Sequence, residues 1–142
     1  MTADDERAAT PHPALWGVLY RSSMPFWDSV KRHELELQRC SGCQRWLTPP
    51  RPMCPNCQSA ESEWVKVSGN GTIYSWVTYA ESPHEGFDSP HTVVLVELDE
   101  GPRLVSMPVD IPEADLEIGM RVSVLYEDID EDLTLFKFER AA

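Results

Sequence analysis

Four cysteines carry the most legible chemistry in this chain. Cys40-x2-Cys43 and Cys54-x2-Cys57 form two pairs separated by ten residues. A Cys-x2-Cys turn presents both sulfurs to one point, and two such turns facing each other complete a tetrahedron around zinc at roughly 2.3 Å from each sulfur. Four thiolates leave no position open for water or substrate, so the predicted centre is structural. Its work is to hold a segment too short and too polar to fold by itself. Iron would fit the same four sulfurs. Two disulfides need an oxidising compartment, and a thioredoxin-like pair needs a βαβ setting, which the sequence does not offer.

Cationic residues gather around this module. Arg39, Arg45 and Arg51 flank the cysteines, with Lys66 nearby. Guanidinium groups suit paired recognition of phosphate, but they also offset the net −2 charge of zinc with four thiolates. Further along, His84 and His91 lie in or beside the loop 81–90. There a histidine near Glu85 or Asp88 could form an acid–base pair. His12 and His33 have no evident partners. The sequence places no Ser/His/Asp or Cys/His grouping and no glycine-rich phosphate loop, and all four cysteines are committed to metal. The chain reads as a binding module that does not catalyse alone.

These groups must be positioned by a chain of 142 residues, enough for one ordinary domain or two small ones. Its 42% apolar content suits a folded protein, and no apolar run approaches the roughly 20 residues of a membrane span. The N-terminal residues are acidic where a signal peptide is basic, so the expected location is cytoplasmic. Charge is unevenly spread. Residues 1–68 carry eight Lys/Arg and eight Asp/Glu, whereas 69–142 carry four and sixteen, so the whole excess of −12 lies in the second half. Nucleic-acid binding depends on cations that release phosphate counterions, and an acidic half opposes it.

Residues 1–13, with Pro11 and Pro13, read as a disordered tail. From Trp16 to Arg32 the pattern is helical in pieces: Trp16, Leu19 and Tyr20 fall at i, i+3, i+4. Phe26, Trp27 and Val30 repeat it after a break, with Pro25 in a first turn. Glu34–Arg39 alternates as a short strand leading to Cys40. Prolines 49, 50 and 52 make 44–53 a stiff irregular loop. After Gly69-Asn-Gly71, five stretches rich in β-branched and aromatic residues follow: 72–79, 91–98, 103–109, 121–126 and 133–139. Expected inward sets are Val94, Val96 and Leu98; Val105 with Met107; Val122 with Val124; and Phe136 with Phe138. The fold class is mainly β: short N-terminal helices and a zinc ribbon over 14–68, then a five-stranded OB-type barrel over 69–142. Such barrels bind single strands through basic grooves and aromatics, with Tyr74 and Trp76 as stacking candidates. That leaves a nucleic-acid or general protein-binding module as the alternative function.

Taken in order, Phe26-Trp27, Arg39-Cys-Ser-Gly-Cys43, Pro49-Pro-Arg51, Cys54-Pro-Asn-Cys57, Glu63-Trp64, Val67-Ser-Gly-Asn-Gly71 and Tyr74-Ser75 resemble the DUF35 family. The resemblance runs from about residue 24 to 139. It implies a rubredoxin-like zinc ribbon on an OB fold. It also implies a role as accessory subunit to a thiolase-like enzyme of acyl-CoA metabolism, a thiolase or a retro-aldolase of steroid side-chain or other acyl-CoA degradation, assembled as a heterotetramer on a partner dimer. Under that resemblance Trp16, Phe26 and Trp27 are candidate partner contacts. Arg45 and Arg51 are candidates for the CoA phosphates, and His84 and Phe87 belong to a loop that closes over an acyl tail. Zinc is the expected cofactor and a CoA thioester the shared ligand.

Overall fold

A computed structural model describes residues 22–82 and 87–141. The order is α1 (Met24–Lys31), β1 (Leu35–Cys40), β2 (Ser62–Val67), β3 (Asn70–Tyr79), β4 (His91–Leu98), β5 (Arg103–Ser106), β6 (Pro108–Val109), β7 (Arg121–Asp128) and β8 (Thr134–Arg140). Among the described residues no helix is long and apolar enough to cross a membrane.

Pro25 sits in the first turn of α1, where its missing N–H costs nothing. The helix ends as His33 turns into the left-handed region at φ 61°. Ser29 then ties helix to strand, its buried hydroxyl donating to the Phe26 carbonyl (2.6 Å) and accepting from the Glu36 N–H (3.1 Å). Trp16 lies outside the described residues. Phe26 does not face outward: it is 8% exposed and packs edge-on against Trp27 and Phe136, with ring centres 5.1 and 5.4 Å away. A helix this short has one apolar stripe, and the core claims it.

β1 and β2 form a two-stranded antiparallel ribbon from Leu35↔Val67 to Cys40↔Ser62. Leu35, Leu37 and Val67 of that ribbon share a core with Val30 of α1 and with Ile73, Val94, Val96, Leu98, Val122 and Phe138 of the larger sheet. Ribbon and sheet are thus joined through buried apolar surface, the main source of cohesion.

The larger sheet runs β5-β4-β3-β7-β8-β6. Its two outer members are successive parts of one segment, interrupted at Met107, so the sheet rolls round on itself. This is the OB arrangement, but the roll is not a closed barrel. β6 pairs with β8 in parallel over two positions only, Pro108↔Phe138 and Val109↔Glu139. Phe138 N–H to the Met107 carbonyl (3.0 Å) and Ser106 hydroxyl to the Phe136 carbonyl (2.6 Å) extend the seam slightly. The break also corrects the expected inward pair. Val96↔Leu104 and Leu95↔Val105 are the register partners, so Leu104 is buried and Val105 is 60% exposed. Side chains alternate faces along a strand, and the crossover sets which residue begins the alternation.

One contact pins the helix end to the sheet. His33 Nε2 lies 2.9 Å from Asp128 Oδ1, its ring stacks on Tyr126 at 5.1 Å, and the Thr134 hydroxyl donates to the same carboxylate at 2.7 Å. His33 first, then Thr134, hold the Asp128 carboxyl below its ordinary range. A depressed folded value means the stabilisation is present above the unfolded value of about 4 and lost as pH falls through the folded one. Asp128→Asn should therefore melt below the native protein at neutral pH, and the gap should begin to narrow at about pH 4 and close only as pH falls further, through the depressed folded value. Gly71 is constrained differently. It pairs with both Leu98 and Val122, and a Cβ there would press on the Glu97 carbonyl and lie 2.9 Å from Val96 Cγ1. Gly71→Ala should cost about 1–3 kcal/mol in denaturant titrations, the usual size of overpacking.

Candidate metal centre and the cavity beside it

The ribbon ends in two turns of matching construction. In the first, Cys40 N–H donates to the Arg45 carbonyl (2.8 Å) and Gln44 N–H to the Cys40 carbonyl (2.9 Å). In the second, Cys54 N–H donates to Ser59 and Gln58 N–H to Cys54, both at 2.9 Å. Gln44 and Gln58 both adopt φ 64°, a conformation that glycine usually supplies. Gly42 N–H points at Cys40 Sγ (3.3 Å) and Asn56 N–H at Cys54 Sγ (3.4 Å). Backbone donors aimed at sulfur favour the thiolate, which is the form that binds metal.

The four sulfurs lie within 4.8 Å of one another. Cys40 and Cys57 are 3.4 Å apart, Cys43 and Cys54 3.7 Å. A zinc tetrahedron with bonds of roughly 2.3 Å has edges of about 3.8 Å, so the donor set fits that ion. The Asn56 side-chain amide first, then the Arg45 backbone N–H, hold the Cys43 thiol down at about 6. Cys40 is lowered as well, first by the Cys43 N–H. Cys40 and Cys54 are buried and Cys57 is exposed, with Leu47 packed between the inner pair.

The proline loop is held by a residue that alternation does not single out. Gln38 is buried in β1. Its amide donates to the Arg51 carbonyl and the Ser62 hydroxyl, both at 2.8 Å, and its oxygen accepts from Arg51 N–H at 2.7 Å. Leu47 N–H to the Gln38 carbonyl (2.8 Å) completes the clamp. No signal in the sequence marks this, because its partners are the Arg51 backbone in a distant irregular segment and the Ser62 hydroxyl on the paired strand. Arg39 is spoken for, with Glu63 at 2.8 Å and its guanidinium over Trp46 at 5.3 Å. Arg45 and Arg51 are exposed and form no ion pair among the described residues.

Beside the centre lies a cavity of about 500 Å³. α1 contributes Phe26 and Trp27, the ribbon and proline loop Leu37, Leu47, Pro49 and Trp64, and the seam Val105, Met107 and Phe136. Phe87 and His91 line it together, with rings stacked at 4.6 Å, whereas His84 lies outside the described residues. Phe87, His91, Phe26 and Trp27 thus share one wall system. Arg45 does not line it, and neither does the Arg51 side chain.

Among the described residues no side-chain pair joins a nucleophile to a base. The Thr134 hydroxyl donates to Asp128 and not to His33, and His91 has no carboxylate partner among the described residues. Fold and centre together define a zinc ribbon built onto an OB fold. Residues 27–63 match the family described as ChsH2, rubredoxin-like zinc ribbon domain, and residues 64–127 the one described as ChsH2, C-terminal OB-fold domain. A DUF35 domain-containing scaffold protein of Methanocaldococcus jannaschii is 34% identical over 110 residues, 75% of this chain and 77% of that protein. The chain belongs to the DUF35 family.

Two further likenesses bear on its role. A probable enoyl-CoA hydratase alpha subunit of Thermomonospora curvata is 36% identical over 140 residues, but this chain spans only 43% of that protein's length. A solved chain described as Ltp2-ChsH2(DUF35) aldolase superposes with a TM-score of 0.79 at 37% identity, covering 87% of this chain and 98% of that one.

A metal bound here would be the tip's main support, since among the described residues Leu47 is the one buried apolar side chain clustered with the cysteines. Cys54→Ser should abolish tight, stoichiometric zinc in metal analysis and lower the melting temperature, whereas Cys43→Ser, nearer the surface, should lower it less. Equal metal content in native protein and Cys54→Ser would overturn the assignment.

Proposed function

We propose that this chain is a non-catalytic subunit of an enzyme that acts on acyl-CoA, carrying one structural zinc ion and assembling with a thiolase-like partner. The observation that carries this reading is the near-complete overlap with a chain of an Ltp2-ChsH2(DUF35) aldolase. The hydratase subunit and the scaffold protein among its relatives point the same way. The chemistry of the chain agrees. Its metal site is closed by four thiolates, and its described residues hold no nucleophile beside a base. Carbon–carbon bond making or breaking, by thiolysis or retro-aldol cleavage, is then the partner's work. This chain shapes and stabilises the partner's site.

Thiolase folds pair with themselves, so two copies of this chain on a partner dimer is the proposed assembly. Trp27, half-buried, and Trp16 remain candidates for the contact; Phe26 is committed to the core. Arg45 and Arg51, exposed and unengaged at the ribbon tip, are the cations placed to meet CoA phosphates.

The test is affinity capture from the source organism, with mass spectrometry and metal analysis on one eluate. A thiolase-like protein in near-equal amount with about one zinc per chain is the expected result. Recovery of the chain alone, or with nucleic acid, defeats the proposal. In the reconstituted complex, replacing both Arg45 and Arg51 with Ala should weaken acyl-CoA binding about tenfold or more, since each charge-assisted contact contributes about 1.5–3 kcal/mol. Unchanged affinity removes the two arginines from the site.

A further inference from the structure

β3 keeps one edge to itself. It pairs with β4 along its length, from Gly71↔Leu98 to Tyr79↔His91, but with β7 only at Asn70, Gly71 and Thr72. Ile73 makes the last contacts on the β7 side, its N–H donating to the Met120 carbonyl and its carbonyl accepting from Gly119 N–H. A bulge between Ile73 and Ser75 then turns the strand away. From Tyr74 to Tyr79 no strand lies on that side among the described residues.

The ladder fixes which groups this edge presents. Leu98 directs its backbone to the β5 side, its N–H donating to the Pro102 carbonyl and its carbonyl accepting from Gly101 N–H. Backbone groups alternate sides along a strand, so Leu95, Val93 and His91 face β3 and hold Ser75, Val77 and Tyr79. Trp76 and Thr78 therefore point their N–H and carbonyl groups to the open edge. The Thr78 and Thr92 hydroxyls lie 2.9 Å apart, in keeping with a pair that exchanges no backbone bonds, where side chains come closest. Neither Trp76 nor Thr78 has a hydrogen bond on the open side among the described residues.

Native sheets protect such edges with proline, charge or a cover. Tyr74-Ser-Trp-Val-Thr-Tyr79 holds no proline and no charge, and Tyr74, Val77 and Tyr79 are exposed. Ile118, 68% exposed, stands next to Gly119 at the Ile73 end. Acidic side chains mark both ends: Glu117 at that one, and Glu81 and Asp88 in the loop after Tyr79, all exposed and in no ion pair among the described residues. Arg103, over the Tyr74 ring, is engaged by Glu97.

We propose that the partner subunit docks an extended segment on this edge, adding a strand to β3, and that the segment is apolar in alternation and flanked by Lys or Arg. A peptide strand matches donors and acceptors repeated every second residue on a sheet edge. Charge rules out a second copy. Antiparallel pairing of β3 with itself brings the Glu117 end of one copy to the Glu81 end of the other, between halves that each carry the whole excess of −12. The dock rests on the partner reading above, to which it adds a place and a chemistry.

The test is hydrogen exchange at single-residue resolution, on the free zinc-loaded chain and on the complex recovered by affinity capture. In the free chain the Trp76 and Thr78 amides should exchange fast and those of Val77 and Tyr79 slowly. In the complex Trp76 and Thr78 should slow about tenfold or more, while Val77 and Tyr79 keep their rates. Thr78→Pro removes an edge donor and leaves the β4 ladder whole; it should retain zinc and lower recovery of the partner about tenfold. Val77→Lys, at an exposed position, should lower it too, by repelling a basic strand. A thiolase-like partner recovered with Trp76 and Thr78 still exchanging fast overturns the dock and leaves the partner reading standing, as does a folded Thr78→Pro chain that recovers the partner fully. Recovery of no partner ends both. Protection of the two amides in the free chain, rising with its concentration, assigns the edge to a second copy and overturns the proposal as well.

Discussion

Four sulfurs held within 4.8 Å of one another set the terms for the rest of the molecule. As thiolates they repel, and only a cation between them turns that repulsion into cohesion. Around the sulfurs the segment they bracket buries one apolar side chain, Leu47, so the shape of its tip follows from metal coordination and the hydrogen bonds of two turns. That shape fixes the proline loop against Gln38, the loop forms one wall of the cavity, and β1 and β2 carry the constraint into the core through Leu35, Leu37 and Val67. The sheet does not need metal to roll. The ribbon does, and with it everything built between ribbon and sheet.

Much of this was legible beforehand, for reasons that differ by residue. Ligand spacing is a local property, so the cysteine centre could be read directly. β3, β4, β7 and β8 showed as runs of β-branched and aromatic residues bounded by Gly, Pro or acidic turns. The misreadings arose where a partner distant in sequence decides. Val105 and Leu104 are equally apolar, and only the crossover at Met107 turns Leu104 inward. β2 escaped notice because Glu63 and Lys66 dilute its alternation, while its pairing comes from β1. The role of Gln38 depends on burial against a loop no pattern predicts. Phe26 and Trp27 are neighbours of similar chemistry, and packing alone decides that one is interior.

The surface divides by charge as the chain divides by architecture. Acidic side chains crowd the sheet's loops, where several find partners: Asp99 holds Arg121 in a two-pronged pair, and Glu97 holds Arg103, whose guanidinium also covers Tyr74 at 3.8 Å. Most cations of the sheet are thereby neutralised at short range. At the ribbon, by contrast, Arg45 and Arg51 remain outside any such pair among the described residues. An anionic ligand approaching the molecule meets repulsion over much of the sheet and unpaired cationic charge at Arg45 and Arg51.

The interruption at Met107 has a temporal consequence. One segment, 103–109, must pair with β4 on one side and with β8 on the other. On a ribosome adding about 5–20 residues per second, β4 is out roughly two to eight seconds before β8. During that interval Val94, Val96 and Leu104 can meet the helix and ribbon residues of their core, already made, but not Phe138, so the last part of their cover arrives only with the final strand.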